Sequence, residues 1–320
     1  MTPALEVIAP GVHTTVQDRG RVGFQDIGVP TSGPLDRMSL RLANALVGND
    51  AGTEALELLV QGPTLRVLAG SVRVALVGCN ASLEIRTPVP RQIPAGQSVK
   101  LARGEVFRVG ALGDSLCAYL AIEGGLAVST VLGSASTYVR GAIGGLHGRR
   151  LQRGDTIPLK LDSAAERRER TLATPLELAL DQTIRVVMGP QAEYFTDAGV
   201  RTFFSSEYVV SHHADRMGYR LEGPTIEHAK GYNIVSDGIV TGSIQVPGSG
   251  KPIVLMVDNQ STGGYPKIAT VISADIPVVG RRRPGRTVRF AAIDVLEAER
   301  ARKRQEAAIV EMVQAIADAG

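Results

Sequence analysis

A chain of 320 residues, 44% hydrophobic and 21% charged, has enough apolar material for two ordinary domains or one large β domain. Lysine plus arginine (35) barely exceed aspartate plus glutamate (32), aromatic residues make up 4%, and tryptophan is absent. That balance supplies neither the basic footprint of a nucleic-acid or membrane-surface protein nor the aromatic platform of a single-strand binder.

Taken in chain order, the opening MTPALEVIAPGVHTTVQD has no basic stretch followed by an apolar one, so no secretory signal is expected. It runs into VQDRGRVGFQDIGVPTSGPLDR, where Gln17, Asp18, Arg19, Arg21, Gln25, Asp26, Ser32, Asp36 and Arg37 crowd a turn-rich stretch. The segment reads either as a solvated loop, with Asp18 and Arg19 as an exposed ion pair, or as a polar pocket wall. Leu35, Met38, Leu42 and Leu46 recur at helical spacing, which predicts a helix capped by Ser32 or Asp36 and stopped at Gly48.

Short strands follow, broken by glycine and proline: SVRVALVGC, LEIRTPVP, SVKLARG, VFRVGAL and LCAYLAIEGG. Cys79 and Cys117 lie in apolar strand contexts without a CxxC pair, so buried reduced thiols and a cytoplasmic protein are expected. The glycine-rich EGGLAVSTVLGSASTYVRGAIGGLHGRR lacks the G-x-G-x-x-G spacing and the acidic residue of a dinucleotide fold. It reads as a long structured loop, with Arg140, His147 and Arg149 held in reserve as functional groups.

A polar stretch, LDSAAERRERTLATPLE, separates two halves that echo each other in LELLVQGPTLRV and MGYRLEGPTIEH. Two copies of one β unit are therefore expected, over 1–165 and 178–293, followed by a charged helix over 294–320. The second half carries a short helix signal in GPQAEYFTDAG, with Pro190 in its first turn, and then TIRVVMG, EYVVSHH, GIVTGSIQVP, PIVLMVDNQ, IATVIS and TVRFAAI as strands. The C-terminal helix is charged around its middle, which predicts packing at its ends only, or cover for a partner. No apolar run reaches the roughly 20 residues that a membrane-spanning helix needs.

Three motifs tempt a functional reading. GSGKP in residues 248–252 has Gln245 where a phosphate loop needs glycine and Pro252 where it needs serine or threonine, and a strand follows it. It reads as a hairpin turn with Lys251 as a solvated tip. His212 and His213 near Asp215 would point to opposite faces of a strand, so no metal site is expected, and one ring in a polar cleft is the preferred reading. In DNQSTGGYPKIATV, Asp258, Gln260, Thr262, Tyr265 and Lys267 surround a Gly-Gly turn, which again reads as turn or as pocket wall.

Together, TTVQDRGRVGFQDIGVPTSGPLDRMSLRLANALVGN, LELLVQGPTL, YLAIEGGLAVSTVLGSASTY, GGLHGRRLQRGD, DRMGYRLEGP, SDGIVTGSIQVPGSGKPIVLMVDNQSTGGYPKIATV and PGRTVRF resemble the biotin-dependent carboxyltransferase family, also called the allophanate hydrolase subunit 2 family. The resemblance spans nearly the whole chain and implies tandem cyclophilin-like β-barrel domains, in a mainly β fold with a few short helices and a C-terminal helix. It also implies a companion subunit (allophanate hydrolase subunit 1, or the B component of 5-oxoprolinase) and, in 5-oxoprolinase, a further A component. The chain has no Ala-Met-Lys-Met biotin-attachment motif, no ATP-grasp domain and no Gly/Ser-rich amidase signature, so no covalent biotin is expected. The activity implied is that of one component in a complex opening 5-oxoproline to glutamate with ATP and Mg²⁺. The alternatives are carboxyl transfer from carboxybiotin to urea or a related amide, and a regulatory protein antagonising a kinase inhibitor, as one member does in sporulating bacteria.

Either chemistry must turn a poor amide or urea group into a nucleophile, which calls for a carboxylate on the N–H and cations for the developing charge. Within the matching blocks, Asp18 or Asp258 is expected in the first role and Arg19, Arg216 or Lys267 in the second. Gln17, Asp36, Gln260 and Tyr265 would hold the small amide or lactam, and His213 would carry a proton.

Overall fold

The alternating apolar and turn-forming runs each contain a strand where the sequence predicts one, although that of EYVVSHH stops at Val210, and the computed structural model, which describes residues 2–319, is mainly β. The described residues form two compact units. One comprises 2–21, Ser32–Leu178 and 308–319; the other comprises Val22–Thr31 and Ala179–Ala307.

The first unit is built on two antiparallel sheets. One orders its strands Thr156–Pro158, Ala4–Ala9, Thr64–Val67, Val106–Val109, Ser82–Thr87 and Arg91–Pro94. The other orders them His13–Gln17, Ala55–Leu59, Cys117–Ile122, Ser71–Val77 and Ser98–Ala102. Because side chains alternate along a strand, Leu65, Val67, Phe107 and Val109 of the first sheet meet Leu56, Leu58, Leu76 and Leu120 of the second in one core. Burial of each such side chain is worth roughly 1.5–3 kcal/mol.

Strand Cys117–Ile122 is buried at every position because helix α1 (Arg37–Val47) packs against its other face. The helix begins where Asp36 Oδ1 accepts from the amides of Met38 (3.0 Å) and Ser39 (3.1 Å), and it ends at Gly48 in the left-handed region, φ +82°. Asp36, not Ser32, is therefore the cap. Cys79 and Cys117 are buried thiols that form no disulfide, and burial pushes the Cys79 thiol up to about 11.

The second unit carries one sheet in the order Thr287–Val288, Tyr208–Val210, Gly218–Glu222, Ile253–Leu255, Ser243–Gln245, Lys267–Val271, Ile184–Met188, Phe290–Ala292. Its two outermost strands are separated in sequence only by Arg289, so the sheet nearly closes on itself. Phe203 stacks on Phe290 at 4.7 Å inside it. Phe203 belongs to α2 (Asp197–Ser205), which starts later than the GPQAEYFTDAG signal suggests: Thr196 Oγ1 takes the Gly199 amide at 2.9 Å, and a 3-10 turn over Ala192–Tyr194 replaces the first turn.

Helix α3 (Ile276–Arg281) follows, and the charged tail forms α4 (Val295–Gln314). Its packing differs from the expectation of contact at the ends alone. Val295 and Leu296 are exposed, whereas Ala301 in the middle packs with Ile272 and Ala274, and Gln305 Nε2 donates to the Ala274 carbonyl at 2.7 Å. Small residues let that stretch approach despite the charges around it. Among the described residues no helix is long and apolar enough to cross a membrane.

Candidate functional site

Gln17, Asp18, Arg19 and Asp36 fall in the first unit; Asp258, Lys267, His213, Arg216, Gln260 and Tyr265 fall in the second. In the first unit, Gln17 closes the strand His13–Gln17 with its side chain fully buried, its Nε2 donating to Thr15 Oγ1 and to the Thr137 carbonyl, both at 3.1 Å. Asp18 then turns into the glycine-rich loop. Its Oδ1 accepts from Gly20 N (2.9 Å), Ser134 Oγ (2.5 Å) and Ser136 Oγ (2.6 Å), and its Oδ2 from Ala135 N (2.6 Å). Burial pushes the Asp18 carboxyl up, but the hydrogen bonds from Ser134, Ser136, Gly20 and Ala135 outweigh it and leave the group below its ordinary value.

Three residues on, Arg21 is fully buried and donates to the carbonyls of Val131 (3.1 Å) and Ser136 (2.8 Å). Asp18 and Arg21 thus hold the loop from both polarities, an assignment that two turn-rich stretches more than a hundred residues apart do not advertise. Arg19 is exposed and lies along Gly52, where an added Cβ would fall 1.9 Å from its Nε. Asp36 is the buried helix cap already described. Beside it Glu57 Oε2 accepts from Leu35 N (2.9 Å) and Tyr119 OH (2.5 Å), and burial followed by the Glu57 charge pushes the Tyr119 phenol well above its ordinary range. Of the reserve residues, Arg149 makes a fork-to-fork pair with Asp155 at 2.7 Å on both arms, a structural tie.

The second unit gathers more of the predicted groups. Lys267 opens an inner strand of the sheet, 3% exposed, and its Nζ donates to Asp237 Oδ2 (2.6 Å) and to the Gly238 carbonyl (3.2 Å). Gln191 clamps both partners: its Nε2 donates to Asp237 Oδ2 (3.1 Å) and its Oε1 accepts the Lys267 amide (3.2 Å). The hydrogen bond from Lys267, then those from Gln191 and the Gly238 amide, hold the Asp237 carboxyl below its usual value.

Arg216 and Asp258 form a second, buried pair, Nε to Oδ2 at 2.8 Å and Nη2 to Oδ1 at 3.2 Å. In the same segment, Asn259 Oδ1 and Ser261 Oγ are buried without a hydrogen-bond partner. Gln260 and Tyr265 are exposed on either side of the Gly-Gly turn. His212 and His213 lie in an exposed turn after Tyr208–Val210, not on a strand and not in a cleft, because Ser211 takes the His213 amide on its Oγ at 3.2 Å.

Asp237 and Gln191 went unread in the sequence: Asp237-Gly238 looks like any turn dipeptide, and Gln191 follows an ordinary Gly-Pro. Their significance depends on the sheet that brings them to Lys267. The GSGKP stretch, as expected, joins two antiparallel strands, Ser243–Gln245 and Ile253–Leu255. Lys251 is not a solvated tip, however; its ammonium donates to the Gly223 carbonyl. With no helix N-terminus behind it, this stretch does not fit a nucleotide phosphate.

The model of the carboxyltransferase domain, subdomain A and B, matches residues 27–292. The C component of the 5-oxoprolinase of Escherichia coli is 36% identical over 94% of this chain and 95% of its own length, and that of Haemophilus influenzae is 33% identical with the same coverage. The solved urea carboxylase of Kluyveromyces lactis superposes with a TM-score of 0.87 at 31% identity, over 98% of this chain and 29% of that one.

Proposed function

Because the chain belongs to the family defined by the carboxyltransferase domain, subdomain A and B, we propose that it is one component of an ATP-dependent 5-oxoprolinase complex that opens 5-oxo-L-proline to L-glutamate. The observation that carries this reading is the two-way coverage: the C component of 5-oxoprolinase and this chain match over nearly the full length of both. Its partners in this reading are the companion B component and an A component, and its location is the cytoplasm. ATP and Mg²⁺ enter as co-substrates of the assembled complex, and no step on this chain is routed through them.

Opening a lactam requires charge to build on the amide group, and a preorganised cation in a water-poor setting stabilises that charge far better than water does. Lys267 and Arg216 are two of the buried cations of the second unit, each already fixed by a carboxylate. Gln260 and Tyr265, exposed beside them in sequence, orient the small substrate, and His213 is accessible to move a proton. In the first unit Asp18 positions the 131–136 loop, and Arg19 is the accessible cation next to it. The urea carboxylase likeness favours a second reading, carboxyl transfer to urea.

The test is glutamate formation from 5-oxo-L-proline and ATP, with the chain alone, with the B component, and with both partners. Turnover in the full mixture that disappears when this chain is left out is the expected result. Folded, associated components that form no glutamate, but carboxylate urea when supplied with carboxybiotin, would replace this reading with the second.

A further inference from the structure

Lys267 and Asp237 are unequal partners. Lys267 belongs to a strand hydrogen-bonded on both sides, to Ser243–Gln245 and to Ile184–Met188, and its side chain is 4% exposed. Asp237 belongs to a two-residue strand, Asp237–Gly238, paired only with Thr262–Gly263, and its side chain is 49% exposed. The cation is built into the sheet, whereas the carboxylate is brought to it from the surface by a short peripheral segment.

The pair is open to solvent on its Gly238 side, where an added Cβ would meet nothing within 4 Å, and closed on the side of Gly263, opposite Asp237, where it would fall 2.5 Å from Gln245 Nε2. Two of the donors that hold the Asp237 carboxylate, Lys267 Nζ and Gln191 Nε2, converge on Oδ2, while the Gly238 amide, which moves with Asp237, donates to Oδ1 at 2.7 Å. This is how an ammonium and an amide receive a small organic acid.

We propose that Lys267 and Gln191 form a receptor for the carboxylate of a small organic acid, and that Asp237 occupies it as a displaceable internal surrogate. An incoming carboxylate takes the place of Asp237 on Lys267 Nζ and Gln191 Nε2, and Asp237 moves out to solvent with its two-residue strand. No barrel strand shifts in the exchange. The inference deepens the functional reading above, on which it rests for the identity of the acid: the carboxylate of 5-oxo-L-proline would be anchored on Lys267, which leaves Arg216 as the cation for the charge on the amide.

An internal competitor lowers the apparent affinity by the fraction of time the site is free. Because the Asp237 side chain is half exposed, that fraction is on the order of 20–40%, so neutralising Asp237 should tighten binding about twofold to fivefold. The experiment is calorimetric titration of the full chain with 5-oxo-L-proline, without ATP or the other components, for the wild type, Asp237→Asn, and Asp237→Asn combined with Lys267→Met. Tighter binding to Asp237→Asn, lost in the double variant and lost with 5-oxo-L-prolinamide as probe, is the expected pattern. Equal or weaker binding to Asp237→Asn, or a gain that survives Lys267→Met or the amide probe, overturns the proposal.

Hydrogen exchange on the wild type keeps the test independent of how the variants fold. Saturating 5-oxo-L-proline should speed exchange of the Ile239 amide, which is bonded to the Ser261 carbonyl at 3.0 Å beside the Asp237 strand. Unchanged or slower exchange there counts against displacement. Failure of glutamate formation in the assembled complex, with this binding pattern intact, would sink the 5-oxoprolinase reading and leave the carboxylate receptor standing.

Discussion

Replacing Asp18 with asparagine separates a positioning role from a chemical one. The carboxylate takes the hydroxyls of Ser134 and Ser136 and the amides of Gly20 and Ala135, and the serines are themselves tied in, Ser136 Oγ accepting from Asp18 N and Ser134 Oγ from Ser136 N, both at 3.0 Å. In Asp18→Asn the new amide faces the Ala135 N–H, leaving a buried donor unmet at about 1–3 kcal/mol, and the other three bonds lose their charge assistance at about 1 kcal/mol each. Relief of the burial penalty on the charge offsets part of this, for a net loss of about 3 kcal/mol. Urea unfolding at neutral pH should register it as a fall in the midpoint with little change in slope.

The pH dependence gives a second readout. The folded-state carboxyl lies below its unfolded value of 3.8, so its contribution is fully present above that value and is lost as pH falls through the folded one. The gap between wild type and Asp18→Asn should therefore be widest at neutral pH and begin to narrow only as pH falls below about 4. A variant that unfolds at the wild-type midpoint, yet abolishes glutamate formation in the assembled complex, would refute the positioning argument and make Asp18 the chemical group.

Arg73 is fully buried between Glu123 (2.5 Å) and Glu169 (3.1 Å), with the carbonyls of Ala165 and Arg167 taking its other protons. Arg73→Met should cost about 3–5 kcal/mol in urea unfolding because it strands both carboxylates, and a loss under about 1 kcal/mol would show them free to reach water. Arg216→Lys keeps the charge but cannot grip both oxygens of Asp258, so it should still lose about 1–3 kcal/mol, and a wild-type midpoint would count against the two-pronged geometry.

The strands were legible because each is a local pattern: an apolar run between turn residues, as in SVRVALVGC or LCAYLAIEGG. So was α1, whose leucine spacing, cap and glycine stop all lie within one stretch of chain. Its cap was narrowed to Ser32 or Asp36 but not chosen, since the choice depends on where the chain enters beneath the sheet. The polar groups were located but not partnered. Lys267 and Asp258 stood out in DNQSTGGYPK, yet Gln191, Asp237 and Arg216 reach them only through the long-range pairing of the second sheet. For Asp18 and Arg19 the sequence left an exposed ion pair and a polar pocket wall both open, because the partners of Asp18, Ser134 to Ser136, lie more than a hundred residues away in the chain.

Synthesis from the N-terminus meets the architecture out of order. The first unit has the strands of both its sheets once Thr156–Pro158 can pair with Ala4–Ala9, but Val22–Thr31, made near the start, belongs to the unit whose sheet is made later. The sheet of that unit is complete only when Phe290–Ala292 settles alongside Ile184–Met188. At about 5–20 residues per second the early segment waits on the order of tens of seconds for its destination to exist. For the same reason no single cut in the chain yields two self-contained halves: a fragment ending at Leu178 would carry Val22–Thr31 as a passenger, and one beginning at Ala179 would lack it.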